Sequence, residues 1–295
     1  MELETALEAA SEAFTSTVGT DGIVRCPLAD SPGDRAEQVI QRSKTRDRKK
    51  QRKCRESIQN RYGVRPKNLF GYIDSAKEKN VVKAVLNNSN EKISPEFLYS
   101  VAMGEGLTFY FSDYGSKASA GTAPVDGPQH IGLDEFGDDV TELQAGGYLR
   151  KDFRKGTDYT PYDWVRNEAG GEMLLHTAKF KNLNVALEAV SAELTARRDK
   201  FIADYFEMYG EDATEDLNDE QLDYWTYIYY NTRPKVRRKL LTKARFGRIT
   251  EWTGDPEAGN EGSRDPVLNA DIRTATAAYL RCVGVFRVDE CDDTE

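Results

Sequence analysis

The sequence predicts a mainly α chain, and three observations predict it. Apolar residues recur at three- and four-residue spacing over long stretches, above all across 182–209 and 219–230. Helix-start chemistry precedes these stretches: Ser94-Pro95-Glu96 before one, and Asn218 with Gln221 before another. The alternation that marks half-buried strands is scarce, so at most a small β-hairpin is expected, between 107 and 135.

The elements follow in order. Residues 1–18 read as a short amphipathic helix with Leu3, Leu7, Ala10 and Phe14 on one face. Residues 19–35, rich in Gly, Asp, Ser and Pro, read as a loop. Ala76 to Leu86 reads as a helix with Val81, Val82, Val85 and Leu86 as its apolar face, ended by Asn87-Asn88-Ser89-Asn90. The next helix begins at Ser94. Its hydroxyl can accept an orphan N–H, Pro95 suits the first helical position, and Glu96 favours the positive end of the dipole. Phe97, Leu98, Val101 and Ala102 are expected inside, and Gly104 and Gly106 are expected to stop the helix. Residues 108–136 read as loop. Long helices are expected over Asn182–Tyr209, Asp219–Tyr230 and Leu268–Val283. Trp225 and Tyr229 are expected in the core.

Charge divides the chain. Residues 1–93 hold 18 Lys and Arg against 13 Asp and Glu, whereas residues 94–295 hold 23 against 37. The basic excess centres on Arg42 to Arg55, with nine basic residues and one acid in fourteen. This reads as a solvated run or as an addressing arm that docks on an acidic surface. No aromatic is interleaved, and an acidic body is repelled by phosphates, so nucleic acid is not the expected partner. The division expected is a flexible N-terminal segment with the basic arm over 1–66, a helical domain over 67–288 and an acidic tail over 289–295. Arg197-Arg198 and Arg237-Arg238-Lys239 read as solvated helix faces.

Other classes are set aside by composition. The apolar runs are too short for a membrane span. The acidic start, Met1-Glu2-Leu3-Glu4, does not resemble a secretory signal, so synthesis in the cytoplasm is expected, with any action at a cell wall needing another delivery device. Cys26, Cys54, Cys282 and Cys291 form no CxxC pair and lie far from His130 and His176, so free thiols are expected, with no metal and no cofactor.

Glu105 is the candidate acid. It ends the helix that begins at Ser94, where the negative end of the dipole disfavours a carboxylate and raises its pKa. Gly104 and Gly106 leave room for a chain to approach. A carboxyl kept protonated near neutral pH is what glycosidic cleavage asks of its general acid. Asp126, Asp134 and Glu135 are candidates for a second carboxylate, which an inverting hydrolase needs and a transglycosylase does not.

Three pieces, Val101-Ala102-Met103-Gly104-Glu105-Gly106, then His130-Ile131-Gly132-Leu133-Asp134-Glu135-Phe136, then Tyr224 to Asn231, resemble in kind and order the goose-type lysozyme and lytic transglycosylase superfamily. The strings Ser94 to Tyr99, Gly146 to Phe153, Leu222 to Tyr227 and Tyr279 to Phe286 are similar to lysozyme-like proteins of contractile phage-tail-like injection particles. The resemblance implies a lysozyme-like helical globule that cleaves the β-1,4 bonds of peptidoglycan glycan strands. It implies Glu105 as catalytic acid, with Asp134 and Glu135 as possible helpers, and Gly106, Gly132, Leu133, Tyr230 and Asn231 along the substrate groove. It implies a particle partner that residues 1–66 could dock. The chain departs from the family pattern at Gly106, where Ser is usual. It departs again at Asp134-Glu135, where Met-Gln is common, and at Thr232-Arg233-Pro234, where a Gly is usual. These departures and the basic arm keep open an alternative, a non-catalytic cargo, plug or docking component of the same fold.

Overall fold

The computed structural model describes residues 17–18, 24–25, 36–40, 48–66, 75–103, 136–162, 165–166, 172–173, 177–232, 234–243 and 265–286. The described part is mainly α, as the periodicity predicts. Besides helical residues 36–40, its helices are α1 (Arg48–Tyr62), α2 (Ser75–Asn88), α3 (Pro95–Ala102), α4 (Phe136–Ala145), α5 (Leu183–Tyr209), the single turn α6 (Ala213–Asp216), α7 (Asp219–Asn231), α8 (Pro234–Lys243) and α9 (Pro266–Val283). The strands form short antiparallel pairs. β1 (Thr17–Val18) pairs with β2 (Val24–Arg25), β3 (Tyr159–Tyr162) with β6 (Thr177–Phe180), and β4 (Val165–Arg166) with β5 (Glu172–Met173). The expected hairpin at 107–135 lies outside the described residues, as do residues 1–16 of the expected first helix and the acidic tail 289–295. Thr17 and Val18 are strand rather than the end of that helix, and Val24–Arg25 pairs with them inside the expected loop.

Local chemistry sets the helix ends. Ser94 is extended and accepts from the Phe97 N–H at 3.3 Å, with Pro95 at the first helical position. Asn182 caps α5, accepting from the Val185 N–H at 3.0 Å, and Gly210 ends it in the left-handed region. Asn218 and Gln221 exchange side-chain and backbone hydrogen bonds, both at 3.0 Å, in a capping box. Asp265 caps α9, accepting from the N–H groups of Val267 and Leu268.

The core is built around α9, which packs against α1, α3 and α7, and around α5, which packs against α2 and α7. Eight residues are too few for a stable isolated helix, so α3 is held by burial. Phe97, Leu98, Tyr99, Val101 and Ala102 are all fully buried. Each large apolar side chain there contributes about 1.5–3 kcal/mol. Phe201 of α5 stacks on Trp225 of α7 at 5.6 Å and meets Tyr229 edge-on at 5.4 Å, so both α7 aromatics are core residues, as expected.

Three expectations are corrected. Cys54 and Cys282 are not free thiols: they form a disulfide. A pairing across so much chain leaves no local trace for sequence reading to find. Cys26 and Cys291 lie outside the described residues.

Residues 48–62 are not a loose basic arm. They form α1, whose Cys54, Ile58 and Tyr62, four residues apart, make a buried stripe, while Arg48, Lys49, Lys50, Arg52 and Lys53 are exposed. Three buried side chains in fifteen are easily masked by the surrounding charge. Tyr62 Oη donates to Glu220 Oε2, and Arg61 Nη1 pairs with the same oxygen at 2.6 Å. The Arg55 guanidinium lies over the Tyr279 ring at 5.7 Å.

Arg198 and Arg237 are not solvated. Both are only 7% exposed, because acids or rings on neighbouring helices receive them.

Candidate functional site

Of the residues expected to form the site, Tyr230 and Asn231 are described. Glu105, Gly106, Gly132, Leu133, Asp134 and Glu135 lie outside the described residues, as do Asp126 and His130. The geometry described is that of α3, which precedes Glu105 in the chain, and of α7, which carries Tyr230 and Asn231. α3 ends at Ala102, and the Met103 N–H still reaches back to Tyr99 O and Val101 O. Glu105 follows Met103 by two residues.

Tyr230 and Asn231 are the last two residues of α7. Tyr230 is half-buried and Asn231 is exposed. Thr232 turns inward, and its hydroxyl closes the helix by donating to Ile228 O at 2.5 Å. The Tyr230 ring lies 5.8 Å from the ring of buried Tyr227, and the Arg273 guanidinium of α9 lies over Tyr227 at 5.8 Å. Buried Tyr227 thus lies against both Arg273 and half-buried Tyr230.

A buried ionic knot ties these helices together. Asp223, 1% exposed on α7, accepts at one oxygen from Arg198 Nη2 of α5 and at the other from Arg281 Nη2 of α9. The same Arg281 nitrogen donates to the Ser94 hydroxyl at 2.7 Å, so the residue that caps α3 is held by the knot. Arg198 also donates through Nε to Thr226 Oγ1 at 3.0 Å and through Nη1 to the Lys92 carbonyl, just before α3. Burial pushes the Asp223 carboxyl up, and the Arg281 and Arg198 charges pull against that. Burial works against the Arg281 charge, yet Asp223 more than compensates and carries its pKa above the ordinary value. The start of α3 is set further by Asn90. Its Oδ1 accepts from the N–H groups of Lys92 and Ile93 at 2.9 Å, and its amide donates to Ser191 and Thr195 of α5.

A second cluster lies beyond α4. Arg150 pairs with Asp158 at 2.5 Å, Glu188 at 2.9 Å and Asp152 at 3.1 Å, and lies over the Phe153 ring at 5.1 Å. Burial pushes the Glu188 carboxyl up against the pull of Arg150. This cluster fastens the turn after α4 to α5.

Among the described residues no group of three His, Cys, Asp or Glu could hold a metal ion, and no helix is long and apolar enough to cross a membrane.

Sequence reading missed Arg198, Asp223, Arg273 and Arg281. A usable signal was present: Asp223 stands between Leu222 and the aromatic run Tyr224-Trp225, so a charge sits where a core-facing stripe is expected. A buried acid requires a buried base, and bases occur in both neighbouring helices.

No protein-family model, no curated protein and no solved structure matches the chain. The functional reading rests on the chain's own residues.

Proposed function

We propose that the chain is a peptidoglycan-cleaving glycosidase of the muramidase or lytic transglycosylase type. The observation that carries this reading is α3. It is capped by Ser94 and buried over Glu96–Ala102, and Glu105 follows its last residue by three positions in the sequence. The position of Tyr230 and Asn231 at the end of α7, one half-buried and the other exposed, agrees with a groove-lining role.

In this mechanism the Glu105 carboxyl protonates the glycosidic oxygen as the C1–O bond breaks and positive charge develops at the sugar. The resulting carboxylate then removes a proton from the attacking group. If that group is water, the product is a reducing sugar. If it is the sugar's own hydroxyl, the product is an anhydro ring. Asp134 or Glu135 enters only if water must be positioned by a second carboxylate.

The Cys54–Cys282 bond supports work outside a reducing cytoplasm, because such bonds persist where the surroundings are oxidising. Delivery by a contractile, phage-tail-like particle is part of the proposal. The exposed basic face of α1 offers that particle an electrostatic handle. The same face favours a second reading, in which the chain is a non-catalytic docking component of such a particle.

The deciding experiment is Glu105→Gln assayed by clearing of purified peptidoglycan. The amide keeps the shape but has no proton to deliver, so a loss of about 10²–10⁴-fold is expected at an unchanged melting temperature. Asp134→Asn combined with Glu135→Gln is expected to have a mild effect if Glu105 serves both steps. Wild-type protein inert on peptidoglycan and on chitin supports the docking component instead. Activity that survives Glu105→Gln shows that another residue is the acid.

A further inference from the structure

We propose, independently of the glycosidase reading, that the exposed basic face of α1 is a docking site for the acidic segment 289–295 of the same chain.

Arg48, Lys49, Lys50, Arg52 and Lys53 are all exposed within the first six residues of α1. Such crowding is costly twice over. The bases repel one another, and they sit at the positive end of the helix dipole with no acid in the first turn to offset it. Arg52 reaches Glu56 at 3.7 Å, but no acid among the described residues pairs with Arg48, Lys50 or Lys53. Farther along the helix the bases are engaged, Arg55 over the Tyr279 ring and Arg61 with Glu220. The other basic helix, α8, differs. Its Arg237 is buried over Tyr229, and its Arg238 pairs with Glu207.

A covalent tether selects the occupant. Cys54 directly follows Lys53 and is bonded to Cys282, with their Cα atoms 5.9 Å apart. Phe286, where the described chain ends, stands four residues after Cys282. Beyond it run Arg287-Val288-Asp289-Glu290-Cys291-Asp292-Asp293-Thr294-Glu295, with five acids and one base. From Arg48 to Cys54 the helix rises only about 9 Å. The stretch 287–295 can span about 30 Å, so its reach is ample. A short tether also holds the segment near α1 at an effective concentration on the order of millimolar, so contacts too weak to retain a free peptide suffice. The chain's other acidic stretch, Glu2 to Glu12, joins α1 only through residues 13–47. Docked on α1, the segment sets five carboxylates against five bases. An acidic partner must then displace it to reach the helix, so the electrostatic handle is a covered one.

The test is carbodiimide cross-linking of the full-length chain, which joins carboxylates to amines in direct contact and is read by peptide mass spectrometry. Mixing isotopically labelled and unlabelled chains shows whether each bond forms within one chain. Bonds from the acids of 289–295 to Lys49, Lys50 or Lys53 are expected at low salt, falling roughly 10-fold at about 1 M salt. A second arm measures affinity for a poly-aspartate peptide. Combining Asp289→Asn, Glu290→Gln, Asp292→Asn, Asp293→Asn and Glu295→Gln uncovers the face and is expected to tighten binding roughly 10-fold. Those substitutions also change the net charge, so they are repeated in a chain carrying Lys50→Gln and Lys53→Gln. There the gain is expected to shrink to about 2-fold, the part due to net charge alone. The proposal is overturned by cross-links that are absent, that form only between chains, or that join α1 to Glu2–Glu12 instead. It is overturned equally by a poly-aspartate gain that is as large without Lys50 and Lys53.

Discussion

Cys54 of α1 is bonded to Cys282 of α9 across a sequence separation of 228 residues, so a strongly basic helix is fixed to the helix at the centre of the described core. Cys54, Ile58 and Tyr62 form one stripe against the body, and Arg55 covers Tyr279 beside the bond. The helix is a fastened element whose charged side is turned outward.

Reducing this bond is expected to lower the unfolding free energy by about 2–5 kcal/mol, because a long loop in the unfolded chain is released. The measurement is a denaturant melt with and without reductant, repeated on Cys54→Ser with Cys282→Ser. The double variant should match the reduced wild type and ignore the reductant. A chain begun at Lys67 loses the Cys54, Ile58 and Tyr62 stripe as well. It is expected to melt at lower denaturant and to bind a hydrophobic dye at the uncovered face of α9. A cooperative melt at the wild-type midpoint would show that α1 contributes nothing to the core.

Asp223→Asn is expected to cost about 3–5 kcal/mol, because it leaves buried Arg198 and half-buried Arg281 without their common acid. The check is chemical denaturation at neutral pH. Asp219→Asn, at the first turn of the same helix, supplies the comparison and should cost under about 1 kcal/mol, through the dipole and a longer-range attraction to Arg281. Similar losses for the two would mean that the knot stabilises no more than a surface charge does.

Much of this architecture was legible because it is written locally. Ser94, Asn182 and Asn218 announce helix starts within three residues of themselves, and the α3 and α7 core positions follow from spacing alone. What escaped was written at a distance. Nothing beside Cys54 points to Cys282. Arg198 reads as a solvated charge until Asp223 is seen between it and Arg281. The basic run around Arg52 hid a three-residue apolar stripe, since charge dominates any average over the segment. Of the expected site residues, Tyr230 lies on the helix read for it and Asn231 extends that helix by one residue, whereas the carboxylates at 105, 134 and 135 fall outside the described residues.

The double use of Ser94 yields the last prediction. Its hydroxyl accepts from the Phe97 N–H as an N-cap and from Arg281 Nη2 as part of the knot. Asn218 of α7 is an N-cap too, but its box partner is Gln221 in the exposed first turn. Asn218→Ala should therefore cost about 1 kcal/mol, the ordinary value of a cap. Ser94→Ala should cost about 2–3 kcal/mol, because it also removes a charge-assisted hydrogen bond from Arg281. Ser94→Gly separates the two parts. In a simple cap glycine restores all but a few tenths of the loss, whereas here the Arg281 contact stays broken and most of the loss should remain. The coupling is read from Ser94→Ala combined with Asp223→Asn. Groups in one network are not additive, so the pair should cost less than the sum of its singles by about 0.5–3 kcal/mol. Strict additivity would mean that Arg281 joins Ser94 and Asp223 in space but not in energy. If Glu105 is the acid, Ser94→Ala should also lower turnover more than it raises KM, since α3 loses the contact that anchors its start.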